Sequence, residues 1–182
     1  MLARLAVAAA LILPLAVADM PANDPDNAKC QEAVTAMKKK DSGIEKFFKD
    51  AVGYAIFPSI GKGAIGIGGA TGTGCVYAGG TQIGTARLSQ VTVGLQLGGQ
   101  SYSELIFFQT AKTLDGFKNS DFSFDAQVSA VAVTAGASAN AAYRNGVAVF
   151  TMAKGGLMYE ASVGGQKFSY KSLAEGKEKD KD

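Results

Sequence analysis

Apolar positions along this chain change their period once, near Gly53. Before that point Cys30, Ala33, Val34 and Met37 recur at helical spacing, which predicts a helix over 28–40. Asp41-Ser42-Gly43 breaks it. Ser42 with Glu45 three residues on reads as a capping-box start for a second helix, whose apolar stripe is Ile44, Phe47, Phe48 and Ala51. After Gly53 the period falls to two. YAIF at 54–57 meets Pro58, and Val91, Val93, Leu95 and Leu97 alternate with Thr92, Gly94, Gln96 and Gly98 as in a half-buried strand. Leu105 to Phe108 is a short apolar strand, and Thr110 to Phe117 a brief helix on Ala111, Leu114 and Phe117. Phe122 to Ala139 alternates small and apolar residues long enough for one bent strand or two. Asn145-Gly146 is a primed hairpin turn leading into VAVFTM, and two glycine pairs frame LMYEASV and QKFSY. The pattern predicts an α+β protein: an N-terminal helical segment packed on a glycine-rich, mainly antiparallel β-sandwich or barrel-like sheet.

The two ends read differently. Met1 to Arg4 is a short basic start, Leu5 to Val17 an apolar run, and Ala16-Val17-Ala18 a small-x-small cleavage site before Asp19. That is the pattern of a secretory signal peptide over 1–18, too short for a membrane span, so a periplasmic or secreted location is expected. Residues 19–27 form a polar, proline-containing spacer, 28–171 a single domain, and 172–182 a charged tail expected to be disordered. Cleavage removes Arg4 alone among charged side chains, taking the formal charge from +2 to +1. So small a charge gives no whole-molecule attraction for nucleic acid.

The run GKGAIGIGGATGTG at 61–74 contains G-x-G-x-x-G at Gly61, Gly63 and Gly66, the spacing of a dinucleotide loop. That loop needs a helix to start inside it. A helix here would have to run through Gly68, Gly69, Gly72 and Gly74, at up to about 1 kcal/mol each. No Asp or Glu lies between Asp50 and Glu104 to take a ribose hydroxyl, and Lys62 is followed by glycine, which removes the P-loop alternative. The run is therefore strand and turn, and neither nucleotide nor other cofactor is expected.

Catalysis finds little support. There is no histidine, the commonest general base and metal ligand. Glu104, Asp115, Asp121, Asp125 and Glu160 fit no acid–base or metal spacing, so no catalytic residue and no metal site is assigned. A membrane-spanning β-barrel is weighed against the missing tryptophan and the charged C-terminus. Cys30 and Cys75 are the only cysteines, and either form one disulfide or stay two separately buried thiols.

GYAIFPSIGKGAIGIGGATGTG, VTVGLQLGGQSYSELIFF and VAVFTMAKGGLMYEASVGGQKFSY resemble, in order and spacing, the SYLF domain family over roughly residues 28–170. The signal-like start makes the chain similar to the stand-alone bacterial branch. The resemblance implies lipid binding. Eukaryotic members associate with phosphoinositides and, in fungi, with actin, and a basic amphipathic N-terminal segment contributes to membrane contact. The matching positions are Lys38, Lys39, Lys40, Lys46 and Lys49, beside Phe47 and Phe48. An exported chain meets no actin, so that role is not carried over. The expectation is a non-catalytic module docking on anionic phospholipid through these lysines, with a protein partner left open. The alternatives are a solvated lysine face with both phenylalanines in the core, and an envelope interaction module using sheet edges.

Overall fold

The computed structural model describes residues 26–63, 67–93, 100–119, 130–154, 163 and 165–173. Asp26 caps the first helix, α1 (Asn27–Lys40), by accepting the Ala28 N–H, so the last two residues of the expected spacer belong to the helix start. Its stripe of Cys30, Ala33, Val34 and Met37 is buried, as the spacing predicts. The second helix begins differently from the capping-box reading. Asp41, not Ser42, supplies the cap: its Oδ1 accepts the Gly43 N–H at 3.0 Å, and residues 42–44 form a 3-10 turn. Only then does α2 (Glu45–Asp50) follow, six residues long and without a side-chain cap of its own. A side chain placed one residue before the turn reaches its free N–H groups better than Ser42 can from within it.

Among the described residues seven strands follow: β1 (Gly53–Gly63), β2 (Ile67–Ala78), β3 (Thr81–Val93), β4 (Gln100–Phe108), β5 (Val131–Ala132), β6 (Val147–Ala153) and β7 (Gln166–Ser172). A third helix, α3 (Ala111–Lys118), lies between β4 and β5 and is capped by Thr110. The strands form one mixed sheet in the order β5-β6-β4-β1-β2-β3-β7, with β5 parallel to β6 and every other pairing antiparallel.

The glycine run lies on β1 and β2, with 64–66 outside the described residues. β1 continues through Pro58 because the register slips there, between Ile56 and Ser59 against β2 and between Phe57 and Ile60 against β4. A proline without an N–H is tolerated at such a bulge. Gly72 and Gly74 face it. A Cβ on Gly74 would sit 2.5 Å from the Ile56 carbonyl oxygen, and one on Gly72 would sit 2.8 Å from that of Ser59. These glycines let the bulge close against β2.

The sheet is rolled. β4 and β7 are four strand steps apart, about 19 Å in a flat sheet. Yet Gln166 Nε2 on β7 donates to Glu104 Oε2 on β4 at 2.9 Å. Phe57 of β1 and Phe168 of β7 approach to 5.8 Å between ring centroids. The inner face thus packs Phe57, Ile60, Leu88, Ile106, Phe108 and Phe168 against one another, with α3 contributing Leu114 and Phe117. The outer face of β1, β2, β4 and β6 carries α1 and α2 through Met37, Ile44, Phe47, Ile56, Phe107 and Phe150. Among the described residues there is one rolled sheet, with no second sheet stacked on it and no β5–β7 pairing.

Other expectations change in detail. Between 130 and 139 the chain forms only the two-residue β5 and a 3-10 turn over Ala137–Asn140, where the alternation suggested longer strands. Alanine, serine and glycine there supply too little apolar surface to hold a longer edge. Residues 120–129, the expected strand over 157–163 apart from Val163, the expected strand beyond Val93, the signal segment and the tail from 174 lie outside the described residues; β7 runs to Ser172. Asn145 and Gly146 both have positive φ, 50° and 80°, as a primed turn requires.

Cys30 and Cys75 form a disulfide, with Cα atoms 6.2 Å apart, that ties α1 to β2 across 45 residues. Closing a loop of that length removes about 4 kcal/mol of unfolded-state entropy in the chain model. Replacing both cysteines by alanine is expected to lower stability by about 3 kcal/mol in urea unfolding, with the far-ultraviolet circular dichroism retained. Gln166→Leu removes the amide donor from a fully buried carboxylate. It is expected to cost about 2 kcal/mol, measured the same way, with Gln166→Asn intermediate.

Candidate functional site

The lysine-rich stretch folds into a corner. α1 ends in Lys38, Lys39 and Lys40, which also places three cations where the helix dipole favours them. The chain then turns at Asp41 and enters α2 with Lys46 and Lys49 on its exposed side. Between Lys38 and Asp50 five lysines stand against Asp41, Glu45 and Asp50, a local charge of 5 − 3 = +2.

The five lysines are not equivalent. Lys38 Nζ pairs with Glu45 at 3.1 Å and lies 4.0 Å from the centroid of the Phe48 ring, so its charge is engaged within the corner. Lys39, Lys40 and Lys46 line an open groove of about 430 Å³. Lys49 is exposed further along α2 and does not line it.

The facing wall is residues 135–139, the segment after β5, through Ala135, Gly136 and Ala139. Two buried residues clamp the walls together. Asp41, 4 % exposed, accepts the Ser138 N–H through Oδ2 at 2.7 Å while Oδ1 holds Gly43. Burial by itself raises the Asp41 pKa. Hydrogen bonds from Ser138 and from the Gly43 and Gly136 backbones together outweigh it, and the carboxyl sits below its ordinary value. Asp41 is therefore an ionised, hydrogen-bonded anchor at neutral pH.

The two phenylalanines part ways. Phe47 is 2 % exposed and packs on Phe107 at 5.6 Å, Phe150 at 4.9 Å and Tyr143 at 5.4 Å. A surface role for Phe47 is corrected by this burial: it is a core residue and cannot reach a membrane. Phe48 is half-buried, edge-on to Tyr54 and Phe107. The Lys38 ammonium lies 4.0 Å from its ring centroid.

The acidic candidates do not assemble. Glu104 is sealed inside the rolled sheet beside Tyr102, whose phenol is pushed up by burial and then by the Glu104 charge. Asp115 is on the surface of α3, paired with Lys118 at 3.0 Å. Asp121, Asp125 and Glu160 lie outside the described residues. Among the described residues no three His, Cys, Asp or Glu side chains are placed to hold a metal ion. No described helix is long and apolar enough to cross a membrane.

Sequence reasoning named the lysines but not Asp41 or the 135–139 wall beside them. Asp-x-Gly at 41–43 is a recognisable Asx turn. Nothing in the sequence links it to Ser138, 97 residues away.

Fold and site together define an α+β module with a cationic helical corner. Residues 89–175, from within β3 past β7, match the model of the Ysc84 family, described as Las17-binding protein actin regulator. The match covers just under half of the chain and is consistent with membership of the SYLF domain family, in agreement with the sequence resemblance. No curated protein matches the chain.

Asp41 generates a pH prediction with a definite sign. A carboxyl whose folded pKa lies below its unfolded value stabilises fully above that unfolded value, near 3.8, and the contribution disappears as pH falls through the folded pKa. Asp41→Asn is expected to be less stable than the parent at pH 6, by about 1 kcal/mol as for a lost cap. The gap should close toward pH 2, read by urea unfolding at each pH.

Proposed function

We propose that this chain is an exported, non-catalytic module that docks reversibly on anionic phospholipid surfaces through its α1–α2 corner. The single observation that carries this reading is the placement of Lys39, Lys40 and Lys46 around one open groove. Of the acids nearby, Glu45 pairs with Lys38, and both oxygens of the ionised Asp41 accept backbone N–H groups. Cations so arranged meet a negative headgroup layer at roughly 1 kcal/mol each.

The family match supports a regulator or binding module rather than a catalyst. The family's description names Las17 and actin. On the reading of 1–18 as a signal segment the chain works away from actin, and the lipid side of the family resemblance is the part proposed for it. Because Phe47 is in the core, contact is made by charge rather than by aromatic insertion.

The test is cosedimentation with vesicles containing anionic lipid. Reversing Lys39, Lys40 and Lys46 together to glutamate is expected to weaken binding by at least about a hundredfold at low salt. The parent's binding should fall steeply as salt rises from 0.05 to 0.3 M, roughly. Unchanged binding of the triple variant, or binding indifferent to salt, would refute the docking reading. A protein that ignores every vesicle and runs as a defined oligomer would instead favour the sheet-edge interaction module.

A further inference from the structure

We propose that the groove between residues 39–46 and residues 135–139 seats one phosphomonoester headgroup, so that the corner selects among anionic lipids. This rests on the docking reading above and sharpens it, because a diffuse basic patch responds only to surface charge while a built groove responds to headgroup shape and valence.

Three observations point to a discrete seat. Its two walls come from segments far apart in the chain, held in place by the Ser138 N–H to Asp41 bond at 2.7 Å between two buried residues. A clamped pair of walls keeps its spacing, which a cluster of lysines on one helix does not. The far wall is Ala135, Gly136 and Ala139, with Gly136 at φ 77°. None of these carries a side chain beyond Cβ, so the space opposite the lysines stays open. The volume of about 430 Å³ falls at the small end of ligand sites, right for a headgroup and too small for acyl chains as well.

Charge selects the headgroup class. Three lysines and one aspartate line the groove, leaving 3 − 1 = +2, with Lys46 Nζ resting 4.9 Å from the Phe47 ring centroid. The carboxylate is turned to backbone N–H groups on both oxygens, while each ammonium offers up to three donors. A phosphomonoester carries about −1.5 to −2 at neutral pH with three acceptor oxygens, and so balances the lining. A phosphodiester, with one charge and two free oxygens, leaves about one positive charge unmatched.

The experiment uses the processed chain recovered from cells and two sets of vesicles matched in zeta potential. One set carries phosphatidic acid, a monoester, and the other phosphatidylglycerol, a diester. The parent is expected to bind the monoester vesicles roughly fivefold to tenfold more tightly, the worth of about one extra charge contact. Replacing Ala135 and Ala139 together by glutamine fills the groove without touching a lysine or Asp41. Both positions are exposed, so the fold is expected to survive, checked by circular dichroism. The filled variant should keep its binding to phosphatidylglycerol and lose the preference. Millimolar glycerol 3-phosphate should erase the same preference in the parent.

Equal binding of the parent to both vesicles, or a preference that survives the filled groove, overturns the seat and leaves charge-driven docking standing. Binding to neither vesicle overturns the docking reading and the seat with it. Retention of glycerol 3-phosphate by a chain that ignores vesicles would assign the groove to a soluble phosphate and overturn the lipid assignment.

Discussion

The rest of the structure depends on the sheet being rolled far enough for β4 and β7 to touch across its inner face. Gln166 reaches Glu104 at 2.9 Å, and Phe168 reaches Phe57, over a distance that a flat sheet would make several times larger. A buried carboxylate is costly unless hydrogen-bonded, so Glu104 in this position demands its partner from the opposite strand. The apolar residues around it supply most of the burial energy, while the Glu104–Gln166 contact fixes which strand lies over which. The bulge at Pro58, closed against Gly72 and Gly74, shapes β1 within that curve.

Rolling fills the inner face with side chains and leaves the outer face of the same strands for the helices. That division explains why the sheet can be apolar on both sides along β1, β4 and β6. It also explains the two long-range ties on the helical side. The disulfide fixes the start of α1 to β2, and Asp41 fixes its end to the segment after β5. A helix held at both ends presents its terminal lysines in a defined place. The covalent tie acts chiefly on the unfolded chain, whereas the Asp41 tie depends on a carboxylate staying ionised.

The sequence reveals what is local. The stripe Cys30, Ala33, Val34, Met37 needs only its spacing to be read, and the Asn145-Gly146 turn only its dihedral requirements. β3 was largely hidden, since Thr81 to Gln90 offers few large apolar residues, and its inward side chains Ala86, Leu88 and Gln90 form no strong alternation. The Glu104–Gln166 contact spans 62 residues and the Asp41–Ser138 contact 97, and no local pattern encodes either. The same limit applied to Phe47 and Phe48. Helical spacing puts both on the apolar stripe, and only the position of Phe107 and Phe150 beneath them decides that Phe47 is sealed and Phe48 is not.

That last distinction governs how strong a surface attachment can be. With Phe47 in the core and Lys38 held by Glu45 and Phe48, the corner offers Lys39, Lys40, Lys46 and Lys49. Four such charges amount to about 4 kcal/mol at low salt, an association near the millimolar range that weakens within a Debye length of the headgroups. An attachment of that size exchanges rapidly and holds the protein at a surface only while anionic lipid is locally dense. Greater affinity requires either several copies on one surface or a contact that counts headgroup valence rather than mean charge. The clamped groove beside Lys39, Lys40 and Lys46 is our proposed place for the second.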